Sequence, residues 1–371
     1  MSLATISALQ SAGPLLFAPD ASPDGAAVLF VADVTAATLY AFELPAEEAP
    51  ATPVTDVRVD LLDAKLASLL GVKRDDVLIR GIAVHPVSKA VYLSVARGRG
   101  PAAGPALVRA GAEGDLSVVE LDSLPFTSVE LDDAPAEDDD RLDVWVDGSD
   151  ESSQPREFNG ITLSIAQVPA RRSTVTGLAW VDDTVFLAGL SNEEFSSRLR
   201  QITYPFDGSA QATSVEIFHV DHGKYETHSP IRALTSFDGG ASILATYTCT
   251  PVVHFSVDDL RGEGLVRGRT VAELGPMNQP FSIVSYDRDG EEFLLVSNTR
   301  HPLLKIPAAS IAGQSHLDVP MSEEGASLGI PRENLDHPGV TWMANLDRGN
   351  LVVVQDENGD LNLRTLSADV L

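Results

Sequence analysis

Residues 79–98 read IRGIAVHPVSKAVYLSVARG. Two apolar runs flank the polar stretch His85-Pro86-Val87-Ser88-Lys89, and the second run ends in small and basic residues. Proline presets φ for a turn, and neither run keeps a 3.6-residue apolar spacing long enough for a helix. The stretch therefore reads as an antiparallel hairpin.

The same unit recurs along the chain: an apolar strand, a tight polar turn, a second apolar strand, then a third. Working outward from 79–98, copies begin at Leu15 (LLFAPDASPDGAAVLFVADVTAATLYAFEL), Val175 (VTGLAWVDDTVFLAGLSN), Ile231 (IRALTSFDGGASILATYTCTPVVHF), Phe281 (FSIVSYDRDGEEFLLVSNTRHPLLKI) and Val340 (VTWMANLDRGNLVVVQDENGDLNLRTL). Most starts lie about 50 to 65 residues apart, near the spacing of four-stranded blades with loops. One such unit cannot bury both its faces, so the copies must stack. The expected fold is all-β: a single β-propeller over 1–371 with six four-stranded blades, seven being the alternative. The segment ATISAL near the N-terminus is the expected outer strand of the last blade, which shows only three. One short inserted helix is predicted over Asp60 to Leu70, with Leu61, Leu62, Leu66, Leu69 and Leu70 on one stripe and Gly71 as its stop.

Residues 126–172 are an excess, rich in Asp and Glu, and are expected to be an acidic insertion between blades. Two weak strands, Leu142 to Val146 and Gly160 to Ile165, are expected as a hairpin or as part of a seventh blade. The DxDxDG spacing of an EF-hand is missing there.

The chain has 371 residues, 44% of them apolar, and a net charge of −28. Over most of such a surface a polyanion is repelled, so nucleic acid is excluded as a partner. The lone cysteine, Cys249, rules out an internal disulfide. No apolar run is long enough to span a bilayer, and MSLATISALQSAG lacks the basic and apolar regions of an export signal. The expectation is a soluble protein with no membrane partner, cytoplasmic as given or exported if a signal peptide was trimmed.

The stretches LFVADVTAATLYAFEL and GIAVHPVSKAVYLSV resemble bacterial propellers of the NHL and YVTN type. The resemblance covers nearly the whole chain and implies the propeller fold, which is shared by lactonases, lyases, sensors and scaffolds. It carries no catalytic residue over.

In such a fold, loops entering each first strand and loops leaving each second strand meet on one face. Entering loops contribute Arg80, Ser173, His228, Asn278 and His337; second-strand exits contribute Asp33, Arg97, Ser191, Asn192, Cys249, Asn298 and Arg300. Guanidinium groups beside asparagines suit a carboxylate or phosphate, so Arg80, Arg97, Asn192, Cys249, Asn278, Asn298, Arg300 and His337 are the candidate ligand-binding residues. The segment HVDHGKYETHSP is the densest group of metal-capable side chains. Imidazole and carboxylate donors suit zinc, copper, nickel or iron, and His222, Glu226 and His228 are the expected ligands of one divalent transition metal. A thiolate at Cys249 could ligate metal or attack a substrate. GxSxG, P-loop, dinucleotide and HExxH signatures are absent, so no nucleotide cofactor is expected.

The function expected from these residues is binding of a small polar or anionic ligand, with metal-assisted hydrolase or lyase chemistry. The alternative is a noncatalytic protein-interaction scaffold, with the acidic insertion docking a basic partner.

Overall fold

A computed structural model of the chain describes residues 9–21, 25–100, 103–146, 152–158, 161–249, 251–262, 264–320 and 328–371. The fold is all-β. Short antiparallel sheets follow one another along the sequence, seven among the described residues. Six begin at or near the six sequence copies, and the seventh belongs to the acidic insertion. The chain forms two compact units: residues 1–132, 206–209 and 338–371, and residues 133–205 and 210–337. Among the described residues, no helix is long and apolar enough to cross a membrane.

In the first unit, strands Leu15–Phe17, Ala27–Asp33 and Thr38–Leu44 form a meander. Its fourth strand is Phe126–Glu130, paired from Thr38↔Glu130 to Phe42↔Phe126. Between these third and fourth strands lies an entire second sheet, made of Val77–Val84, Val91–Arg97, Gly104–Ala110 and Leu116–Val118. Strand Val77–Val84 packs against both Leu15–Phe17 and Val340–Asn345. The second sheet is thus spliced into the first and sits between the first and the last. Residue 126, expected to open the acidic insertion, instead starts a strand whose Val129 is buried and whose Phe126 meets Tyr40 and Phe42.

The last sheet has three strands, Val340–Asn345, Asn350–Glu357 and Asp360–Ser367. Its outer edge is met by Val59, which exchanges backbone hydrogen bonds with Leu363 at 3.0 and 2.9 Å, while the Val57 amide donates to Thr365 Oγ1. The segment expected there, ATISAL, lies outside the described residues apart from Leu9. The predicted helix forms over Leu62–Leu70 and stops at Gly71, with φ of 69°. Leu62 and Leu66 are buried among Val57, Val59 and Leu363, whereas Leu61 and Leu69 are exposed. The apolar stripe is narrower than the sequence suggests because a nine-residue helix shows only its inner turns to the sheet.

In the second unit, three sheets are ordered along the chain. The first comprises Gly177–Val181, Thr184–Leu190, Ser197–Thr203, Gln211–His219 and Lys224–Glu226, with Leu265–Arg267 added in parallel to Gln211–His219. The second comprises Ile231–Phe237, Ser242–Tyr247, Pro251–Ser256, Arg269–Glu273 and Leu328–Gly329. The third comprises Pro280–Arg288, Glu291–Asn298, Leu304–Pro307 and Glu333–Asn334. Apolar side chains interdigitate between successive sheets: Phe186, Leu199 and Ile217 against Ile243 and Phe255, then Leu244 and Val271 against Leu294 and Ile306.

The acidic insertion contributes Leu142–Trp145, Gln154–Phe158 and Ile161–Pro169, in the sheet order Gln154–Phe158, Ile161–Pro169, Leu142–Trp145. Its first strand is anchored inward. Asp143 pairs with Arg232 at 2.7 Å with both side chains buried, and the Val146 amide donates to Gln279.

Candidate functional site

Strand Gln211–His219 runs into a tight turn in which the Gly223 amide donates to the Val220 carbonyl, and Gly223 has φ of 63°. The turn returns as Lys224–Glu226, with Ile217 opposite Glu226 and His219 opposite Lys224. This hairpin sets His219, His222 and Glu226 on one edge. Thr270 Oγ1 donates to the Phe218 carbonyl at 2.8 Å, which ties that edge to the neighbouring strand Arg269–Glu273. Glu273 is therefore brought beside His219, their Oε2 and Nε2 atoms 3.9 Å apart.

Cys249 arrives from the same neighbouring sheet, in the turn after Ser242–Tyr247. Its φ of 64° lies in the left-handed region that a side chain with a Cβ rarely adopts. The Cys249 amide donates to the Asn278 carbonyl at 2.7 Å, and Arg232 Nε donates to the adjacent Thr248 hydroxyl at 2.8 Å. The turn is held from both sides in a conformation it would not choose alone. Ligand atoms of His219, His222 and Cys249 all lie within 4.8 Å of one another.

Glu226 organises the two imidazoles. Its Oε2 meets His219 Nδ1 at 3.0 Å and accepts from Ser229 Oγ at 2.6 Å, while Oε1 meets His222 Nδ1 at 2.7 Å. Burial alone would raise the Glu226 carboxyl, but the bonds from His219 and His222 overcome it and hold the group well below the usual carboxylate range. Hydrogen bonding to Cys249, and next to Glu226, pushes His222 up to about 10 against its partial burial. With both Nδ1 atoms on Glu226, His222 turns its other side to Cys249, and His219 Nε2 is left without a hydrogen-bond partner among the described residues. A carboxylate that fixes imidazoles this way is the usual outer partner of metal-binding histidines.

Glu273 is fully buried, and neither of its oxygens closes a hydrogen bond of ordinary length and angle among the described residues. Burial, then the Asp221 carboxylate, push its carboxyl well above the usual range; the nearby Gly275 and Asp221 amides and His222 offset this only in part. His219 Nε2 is likewise buried and without a hydrogen-bond partner.

Of the predicted metal ligands, His222 and Glu226 are in the cluster, Glu226 as the orienting carboxylate. His228 is exposed and its Nδ1 lies 3.3 Å from Ser196 Oγ. His219 takes the place expected of His228 because, two residues out of register with Ile217, it shares the hairpin edge with Glu226. Of the predicted ligand-binding residues, Cys249, Asn278, Asn298 and Arg300 share one rim. Thr299 Oγ1 lies 3.3 Å from Asn278 Oδ1, and Asn298 Oδ1 accepts from the Arg300 and His301 amides at 3.0 and 2.6 Å. Arg300 itself is exposed and donates to the Pro276 carbonyl at 2.8 Å. Asn192 is exposed, with its amide on the Asp133 carbonyl, and His337 is half-buried, with its amide on the Leu335 carbonyl. Arg80 and Arg97 lie in the first unit. The Arg97 guanidinium lies across Gly104, where a Cβ would meet it at 3.1 Å.

Sequence reasoning missed Glu273. Its local context, VAELGP, carries no chemical signature, and only the packing of its strand against the neighbouring sheet places it.

No family model and no curated protein matches the chain. Solved structures similar to it include the β-propeller domain of Cps50 (Swd1) from Myceliophteria thermophila, at 12% identity and a TM-score of 0.35, covering 96% of this chain and 83% of that one. Another is the PQQ-bound form of the aldose sugar dehydrogenase from Streptomyces coelicolor, at 11% identity and a TM-score of 0.34, covering 99% and 98%.

Proposed function

We propose that this chain is a single six-bladed propeller of the NHL/YVTN kind that binds a small polar or anionic ligand at the rim formed by His219, His222 and Cys249, with a divalent transition metal as the anchor. The observation that carries the reading is the convergence of two imidazoles and a thiol from two sheets, with one carboxylate orienting both rings. Two nitrogens and a sulfur suit zinc and its neighbours. Three protein donors leave a position for water or substrate, the arrangement of metal-assisted hydrolases and lyases.

In that chemistry a bound ion supplies Lewis acidity. The residues of the chain do the rest: Glu226 fixes the ring orientations, the strained Cys249 turn aims the thiol, and exposed Arg300 on the same rim attracts an anionic group. The scaffold alternative gains less support, because the insertion strand that would dock a partner turns Asp143 inward to Arg232.

The test is metal analysis of purified wild-type protein and of Cys249→Ala and His222→Ala, followed by zinc titration. Stoichiometric uptake by the wild type, lost in both variants, is the expected result. A wild-type protein that neither carries nor takes up a transition metal sinks the reading.

A further inference from the structure

Two buried polar groups face each other at this rim without bonding. His219 Nε2 and the two oxygens of Glu273 have no hydrogen-bond partner of ordinary geometry among the described residues, although His219 and Glu273 are 2% and 0% exposed in their side chains. Leaving such groups unsatisfied is costly, and native proteins rarely tolerate it without a reason. The separation of 3.9 Å between His219 Nε2 and Glu273 Oε2 is too long for a hydrogen bond. It is close to the separation of about 3.4 Å that a nitrogen and an oxygen adopt when both bind one tetrahedral ion at 2.0–2.2 Å. The three donors His219, His222 and Cys249 already lie within 4.8 Å of one another, and the Glu273 carboxylate has to swing in from the His219 side to join them.

We propose that Glu273 supplies the fourth protein ligand of a divalent transition-metal site whose other donors are His219 Nε2, His222 Nε2 and Cys249 Sγ. The inference rests on the metal reading above and specifies its donor set: with Glu273 in the fourth position, water or substrate enters as a fifth ligand, an expansion that zinc sites allow. Thiolate and carboxylate together cancel the charge of a divalent ion, which offsets the cost of burying the Glu273 carboxylate beside the Asp221 charge. The elements match the roles: Glu273 and His219 are fixed on neighbouring strands of adjacent sheets, tied by the Thr270–Phe218 bond, and form the buried half. His222 and Cys249 lie in turns with more exposure, and close over the ion from the solvent side. Glu226 stays outside the coordination sphere because both its oxygens are already committed to the imidazoles and Ser229. The fold thus replaces the sequence-predicted set of His222, Glu226 and His228 by one drawn from two sheets.

The test uses Co(II) with the full-length chain, read by thiolate-to-cobalt charge transfer and ligand-field absorption. Wild type is expected to bind one equivalent with a four-coordinate spectrum. Glu226→Gln, which loosens the rings only, is expected to weaken Co(II) by about 10–100-fold with the spectrum kept. Glu273→Gln is nearly isosteric. It is expected to weaken binding by more than that range and to change the ligand-field bands, with unchanged circular dichroism in the absence of metal. A Glu273→Gln protein that keeps wild-type affinity and spectrum overturns the role of Glu273 and leaves the three-donor site standing. A wild type that binds no Co(II) overturns both. Should Glu273→Gln fail to fold, a zinc-soaked wild-type crystal decides. A Glu273 oxygen about 2.0–2.2 Å from the ion supports the assignment, and its absence from the coordination sphere rejects it.

Discussion

Replacing Asp143 by asparagine should cost about 3 kcal/mol or more, the lower end of what breaking a buried ion pair costs. Asp143 and Arg232 are 7% and 6% exposed in their side chains and 2.7 Å apart. Asp143 also accepts from Ser173 Oγ at 2.5 Å and Trp145 Nε1 at 3.1 Å. Asparagine keeps the shape and one acceptor oxygen but not the charge, so Arg232 is left as an uncompensated buried cation. An exposed pair, by contrast, would be worth about 0–1 kcal/mol. The assay is urea unfolding followed by tryptophan fluorescence, to which Trp145 reports locally. The double variant Asp143→Leu/Arg232→Met should recover most of the loss, since an apolar pair of similar size is about as stable as a buried ion pair. A single-variant loss below about 1 kcal/mol would refute the claim that the acidic insertion is pinned through this bond. Arg232 also holds Thr248, the neighbour of Cys249, so the same variant should weaken metal uptake.

Three further outcomes follow from the same geometry. His222 is raised from 6.5 to about 10 in the folded chain, so its contribution to stability is fully present below about 6.5 and is lost as pH rises through about 10. Denaturation across that window should show this decline in wild type and a flatter profile in His222→Gln; identical profiles would remove the coupling to Cys249 and Glu226. Leu66→Ala empties a fully buried position between the helix and the last sheet and should cost about 2–5 kcal/mol by chemical denaturation, with an unaltered value counting against that docking. Gly189→Ala would drive a Cβ to 2.0 Å from the Thr174 carbonyl, so a loss of at least about 1–3 kcal/mol is expected in the same measurement, and tolerance would show that the backbone there can part.

The sheets were legible because their causes are local. Alternating apolar residues and Asp-Gly or Pro turns dictate hairpins wherever they occur, and all six predicted sheet starts lie within about two residues of the observed ones. The order of packing was not. Residues 126–130 have the same alternating character as any strand, and nothing within them says that their partner is Thr38–Leu44 rather than a nearer segment. The acidic residues around them mask, in the composition, the apolar face that decides their place.

At the site, the sequence by itself determined that HVDHGKYETHSP is rich in donors and that Cys249 sits at the end of a second strand. It also determined that the chain is all-β, because strand and turn propensities act over a few residues at a time. Only the tertiary structure decided which donors meet. Strand register turns His219 rather than His228 toward Glu226, the Thr270–Phe218 and Gly268–Glu216 bonds draw one sheet edge to the next, and Glu273 comes beside His219 from more than fifty residues away in sequence. The physical reason is range: propensity is fixed by neighbours along the chain, whereas a binding site is fixed by which distant edges share a hydrogen bond.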